Sequence, residues 1–197
     1  LLIDGFDTPP RFMMNHHRPY YGPLLESWGL AKLKDFYAWW FVDPHDMSDR
    51  WRRLAAWLTE RGQVKIRPFR RDEFDAELRR CKEVYDVGYQ DNWGVVRLTD
   101  DEFRYIAKRL TKIGIADQVL LAEVDDKPVG FSITLPDLNE AIRPLNGRLT
   151  TWGLPIGLLR LMYRMPRIKT ARMMVLVILE EFRRRGVAEL MILHTLE

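Results

Sequence analysis

Near the end of a 197-residue chain an apolar run meets a cluster of charge. Val175-Leu176-Val177-Ile178-Leu179 is followed by Glu180-Glu181-Phe182 and then by Arg183-Arg184-Arg185-Gly186-Val187-Ala188. Arginine, two residues, glycine, one residue and alanine, set between a buried strand and a helix, can bind a diphosphate. Consecutive main-chain N–H groups in such a turn point into one concavity, beside the positive end of the helix dipole. Gly186 and Ala188 keep bulk away from the backbone, and Arg183, Arg184 and Arg185 add positive charge. The spacing alone is modestly specific, because a glycine before a helix is often a plain turn.

Other reactive residue types are sparse. His16-His17 lacks a third ligand at metal-binding spacing, so no metal site is expected. His45, between Asp43 and Asp46, reads as a polar loop. Cys81, the one cysteine, falls on an apolar helix stripe and reads as a buried thiol. Asn92-Trp93-Gly94 reads as a turn with a packed tryptophan.

Stepping outward, the periodicity predicts the elements that position these residues. Leu1–Ile3 reads as the end of a strand. A short helix carrying Leu24, Leu25 and Trp28 ends at Gly29. The aromatic run from Lys32 to Val42 reads as a strand. Ser48 caps a helix over Asp49–Arg61, with Leu58 on its apolar face. Val64–Pro68 is a short strand, and Asp72–Tyr89 an amphipathic helix. Thr99 and Glu102 form a capping box for the next helix. Val119–Val124 and Val129–Leu135 form a hairpin about Asp125-Asp126-Lys127. A Pro- and Gly-punctuated helical insertion fills 137–169, and the apolar strand follows. The Trp152–Tyr163 stretch reads as a packed lid over a substrate groove, in preference to a membrane-surface helix.

Composition limits the function classes. Hydrophobic residues are 47% and charged residues 30%, which supports a packed core. A net charge of +3 argues against a dedicated nucleic-acid binder. No stretch is long and apolar enough to predict a membrane span, and a single cysteine points to a reducing, cytoplasmic setting. The expectation is therefore no nucleic-acid and no membrane partner. Both ends read as cuts through a longer protein.

The Arg183–Ala188 segment resembles the acetyl-CoA signature of GNAT N-acetyltransferases. Ala122–Phe131 resembles the hairpin that precedes it, and Ile66-Arg67-Pro68 the first strand. The segment Asn15–Tyr37 is similar to the far end of a GNAT domain, so the chain resembles part of a bacterial tandem-GNAT protein. The resemblance implies a GNAT fold, an α/β architecture with a mixed sheet flanked by helices and truncated at both ends. It divides the chain into the end of a first module (1–45), a linker helix (46–62) and the head of a second module (63–197). It implies acyl transfer from acetyl-CoA, as co-substrate, to a small-molecule or peptide amine, without a covalent enzyme intermediate. The backbone of Val177, Ile178 and Leu179 would meet the pantetheine arm. Gly186, Val187 and Ala188 would hold the pyrophosphate, assisted by Arg183, Arg184 and Arg185. Glu181, Glu180 and Glu123 are the candidate general bases. Leu25 stands where the family often carries an acidic tyrosine. That departure leaves room for a non-catalytic module that binds CoA or a protein. A homo-oligomer or a contact between tandem modules completes the expected partners.

Overall fold

Lys65–Pro68 (β1) is too short to stand alone and pairs antiparallel with Val119–Val124 (β2), Ile66 opposite Ala122. The computed structural model describes residues 1–41, 49–60, 64–112 and 118–196. Between β1 and β2 run Phe74–Gly88 (α3) and Asp100–Lys112 (α4). They follow Tyr21–Ser27 (α1) and Asp49–Glu60 (α2) in the chain. The capping box of α4 is formed: Glu102 N–H donates to Thr99 Oγ1, and the Glu102 carboxylate accepts the Thr99 N–H at 2.8 Å. β2 returns through Asp125 and Asp126, both at positive φ (50° and 59°), into Lys127–Pro136 (β3). Two such residues in a two-residue loop match the right-handed twist of the strands they join.

The sheet order is β1-β2-β3-β4, where β4 is Ala171–Ile178. β2 pairs antiparallel with β3, and Leu179 N–H donates to Val129 O at the far end of β4. The result is an antiparallel sheet flanked by helices. Alternation gives the strands two buried faces, and a register shift in β3 at Val129, opposite Ala122 and Glu123, puts Val129 and Phe131 on different ones. One face carries Leu121, Phe131 and Val177 against Cys81 and Val84 of α3. The other carries Ala122, Val129 and Ile178 against Val187 and Met191 of Val187–Leu196 (α7).

The chain divides into two compact units. One comprises Leu1–Trp40 with Pro136–Arg172, the other Phe41–Leu135 with Met173–Glu197. The insertion expected to belong to a second module therefore falls in the same unit as the N-terminal segment. It contains Leu138–Ile142 (α5) and Ile156–Arg164 (α6). Asp137 ties this unit together: its carboxylate accepts Phe12 N–H at 2.9 Å and Arg11 Nη1 at 3.2 Å.

Two sequence expectations are corrected here. Leu1–Ile3 forms no strand, and Leu1 and Ile3 are exposed. Residues 30–41 form no strand either, and Trp39, Tyr37 and Phe36 are exposed. Aromatic strand propensity needs a neighbouring strand to satisfy the backbone, and this run has none among the described residues. Val42, Ser48 and His45 lie outside the described residues.

Candidate functional site

β4 ends at Ile178 and the chain tightens into a 3-10 turn, Glu180–Phe182. Arg185 N–H donates to Phe182 O at 3.0 Å, closing the turn before Gly186. Gly186 has φ 77°, a left-handed backbone that side chains resist. Its carbonyl accepts the Leu190 N–H at 3.1 Å, so α7 starts here. The first N–H groups of α7, on Val187, Ala188 and Glu189, have no carbonyl one turn behind them. The strand, the glycine bend and the helix start expected from the sequence are thus brought together.

Glycine at 186 serves a second purpose. Leu58 of α2 fills the space that a Cβ would need. Gly130 of β3 is also forced: an added Cβ would stand 2.9 Å from Val177 O. Gly88, at the end of α3, lies against the side chain of Val177 in the same way. Strand β4 is thus pressed by close backbone approaches on both faces.

Arg183 does more than lend charge. Its Nε donates to Ile178 O at 3.1 Å and its Nη2 to Gly88 O at 3.3 Å. Leu179 turns its N–H toward β3, so alternation turns Ile178 outward, where Arg183 meets it. Arg185 stacks on Phe182, 4.9 Å from its ring centroid, and Arg184 is exposed.

The three candidate bases differ sharply. Glu180 and Glu181 are exposed beside the turn. Glu123 is buried, and its carboxylate accepts Arg67 Nε at 2.9 Å. Arg67 also forks onto Glu77, which is wholly buried: Nη2 meets Oε1 at 2.9 Å and Nη1 meets Oε2. Glu77 further accepts Arg70 N–H at 3.3 Å and Arg80 Nη1. Burial pushes the Glu77 carboxyl upward, but the Arg67, Arg70 and Arg80 donors outweigh it and hold it below its ordinary range. The Glu77 and Glu123 carboxylates raise Arg67 beyond its ordinary value. Glu123 is thus buried and engaged by Arg67, unlike the two exposed glutamates. Sequence reasoning passed over Arg67 and Glu77. The signal was thin: an arginine in a short strand and a glutamate near the start of an amphipathic helix.

A cavity of about 230 Å³ lies between α3, α4 and the sheet. Phe69, Leu78, Cys81, Phe103, Phe131 and Val175 are among its walls, which are almost wholly apolar. Burial, with the Glu77 charge nearby, pushes the Cys81 thiol up to about 12.

Among the described residues no group of acids, histidines or cysteines is arranged to hold a metal. His16 Nε2 lies 2.8 Å from Thr8 O, and His17 Nδ1 accepts the Leu2 N–H at 3.3 Å. Leu25, on α1, is exposed.

No family model matches the chain. It is 35% identical over 185 residues to protein YghO of Escherichia coli K12, covering 92% of this chain and 46% of that protein. It is 32% identical over 187 residues to the bacterial ceramide synthase of Caulobacter vibrioides, covering 92% and 47%. The chain thus spans about half the length of the curated relatives it matches. Among solved structures it is similar to PH1933 of Pyrococcus horikoshii, with 22% identity, a TM-score of 0.40, and 66% and 68% of the two chains covered. An N-acetyltransferase of Staphylococcus aureus Mu50 aligns with 14% identity, a TM-score of 0.39, and coverage of 66% and 62%.

Proposed function

We propose that this chain forms part of a GNAT-type N-acyltransferase that moves an acyl group from acyl-CoA to an amine on a hydrocarbon-bearing substrate. The observation that carries the reading is the bend at Gly186, where a left-handed glycine delivers a core strand into the start of a helix. Diphosphate suits that bend, with the Val187 and Ala188 N–H groups as donors and Arg184 as a free cation at the rim. Apart from the α5–α6 insertion, strand, two helices, hairpin, strand and helix follow in the order that the GNAT resemblance implies.

The chemistry is a single displacement. The amine nitrogen bonds to the thioester carbon, the C–S bond breaks, and the thiolate leaves with the electron pair. The amine proton passes to a base, for which Glu180 and Glu181 are exposed and near the end of β4. Acetyl-CoA is the reference donor. A hydrocarbon-bearing substrate is supported by the apolar cavity and by the relative named a ceramide synthase, since a ceramide is an N-acylated amino alcohol with long chains.

One observation favours a second reading, a CoA- or protein-binding module without turnover: Leu58 packs against Gly186. That contact gives the glycine a reason independent of any ligand.

Titration calorimetry of the full-length protein with acetyl-CoA and with a long-chain acyl-CoA separates the readings, followed by thiol release with simple and long-chain amines. Binding with amine-dependent release is expected. Binding without release selects the CoA-binding form of the second reading, and no binding to either thioester overturns acyl transfer and CoA binding alike, leaving only a protein-binding module.

A further inference from the structure

The unit formed by Leu1–Trp40 and Pro136–Arg172 carries a surface that the acyltransfer reading does not use. From position 143 to 172 the sequence holds seven lysines and arginines and no aspartate or glutamate. The two acids just before it are already committed. Asp137 holds Arg11 and Phe12, and Glu140 accepts from the backbone of Lys169 and Thr170. The positive charge of this stretch therefore awaits anions from outside it.

The same stretch exposes large apolar side chains on a preassembled scaffold. Thr151 and Leu154 exchange backbone hydrogen bonds of 2.9 and 3.0 Å, so Trp152-Gly153 is the tip of a tight turn. Trp152 has φ 51°, a left-handed conformation that is an outlier for a bulky residue, and it is 94% exposed. Strain that presents an indole to solvent points to a use for that indole. Beside the turn, α6 exposes Leu159 (61%), Met162 (63%) and Tyr163 (64%). Leu158 N–H donates to Leu149 O at 3.1 Å, and Gly157 lets the helix close on the Arg148 carbonyl. Turn and helix are thereby locked together. Arg160 and Arg164 are exposed on α6, and Arg167 stacks 3.6 Å from the Tyr163 ring centroid.

Cations alone would suit a nucleic acid, and apolar side chains alone would suit another protein. Their mixture, with tryptophan and tyrosine, suits the boundary of a bilayer, where indole and aliphatic groups enter the acyl region and guanidinium groups meet phosphates. Among the described residues no helix is long and apolar enough to cross a membrane. We infer that the Trp152 turn and helix α6 form a docking surface for an anionic phospholipid bilayer, lying in its interface.

Vesicle sedimentation of the full-length protein tests this, with phosphatidylglycerol-containing vesicles against pure phosphatidylcholine. Binding to the anionic vesicles that weakens with salt is expected. Each basic side chain near a charged surface contributes enough that R160E with R164E should weaken binding about thirtyfold or more. Trp152→Asn keeps a residue that tolerates positive φ and should also weaken it. Circular dichroism establishes that each variant is folded. If a variant is not, quenching of wild-type tryptophan fluorescence by brominated lipid carries the test: quenching at low salt supports the surface, and its absence overturns it. Binding unchanged in both folded variants overturns it too. So does association of the purified protein through this patch, seen as a stable oligomer whose Trp152 is protected without lipid.

Discussion

Leu58 Cδ1 occupies the space that a Cβ on Gly186 would fill, so helix α2 meets the start of α7 through a glycine surface. Two costs should therefore separate on substitution. Gly186→Ala must hold a left-handed backbone, which costs about 1–2 kcal/mol for an L-residue. It must also displace Leu58. Shortening Leu58 to alanine removes the second cost and leaves the first. In urea titrations the double variant Leu58→Ala/Gly186→Ala should be less destabilised than the sum of the singles, by about 0.5 kcal/mol or more. Strict additivity would mean that the two residues do not meet.

Arg183 bridges two carbonyls, Ile178 O at the end of β4 and Gly88 O at the end of α3. Arg183→Ala should loosen the strand end with modest global cost, about 2 kcal/mol or less for two partly exposed hydrogen bonds. Amide exchange at Ile178 and Leu179 should accelerate while β2 amides stay protected. Lysine carries the charge without the planar fork, so Arg183→Lys should behave like alanine in exchange. Rescue by lysine would indicate that charge alone matters.

Local chemistry made some of this legible from residues alone. Thr99 and Glu102 lie three apart, and the capping box they predict is formed. The Asp125-Asp126 turn and the Gly186 bend were readable for the same reason. Arg67, Glu77 and Glu123 were not. They are separated by 10 and 56 positions, and only the pairing of β1 with β2 and the packing of α3 bring them together. Gly88 fell inside the helix expected over Asp72–Tyr89, and its contact with Val177 arises only from the packing of α3 on β4, far away in sequence. The aromatic run at 32–41 misled in the other direction, having strand propensity and, among the described residues, no strand to pair with.

The cavity beside Cys81 should tolerate filling. Cys81→Met adds apolar volume next to about 230 Å³ of empty space. Thermal melts should show it neutral or stabilised, by up to about 2 kcal/mol. Where the cavity takes the hydrocarbon part of a substrate, the same variant should raise KM for long-chain substrates more than for short ones. A destabilisation of several kcal/mol would mean that the space is closed in solution.

The Cys81 thiol itself should be inert. Burial pushes it up to about 12, far above ambient pH, so almost no thiolate forms in the folded chain. Iodoacetamide at pH 8 should label it only as the chain opens. Labelling should speed up through the unfolding transition and reach the rate of an ordinary exposed thiol beyond it. Fast labelling of the native protein would place Cys81 at the surface.

Glu77 should set the acid limit of stability. Its carboxyl lies below its ordinary value when folded, because Arg67, Arg70 and Arg80 overcome the opposing effect of burial. A carboxyl depressed by folding stabilises the protein fully above its unfolded value, about 4.3, and loses that contribution as pH falls through the folded value. Stability from this group should be flat between pH 7 and 5 and decline below about pH 4. Glu77→Gln removes the charge at every pH and leaves the buried Arg67 with Glu123 alone. It should cost about 3–5 kcal/mol at pH 7. At pH 3 the gap to wild type should narrow, because below about 4.3 the unfolded wild-type carboxyl takes up a proton that the folded one resists. Urea titrations of both proteins at pH 7, 5, 4 and 3 measure that gap. A gap that stays constant to pH 3 would mean that folding does not depress the Glu77 carboxyl, or that the cost of the variant is steric and unrelated to the Arg67 fork.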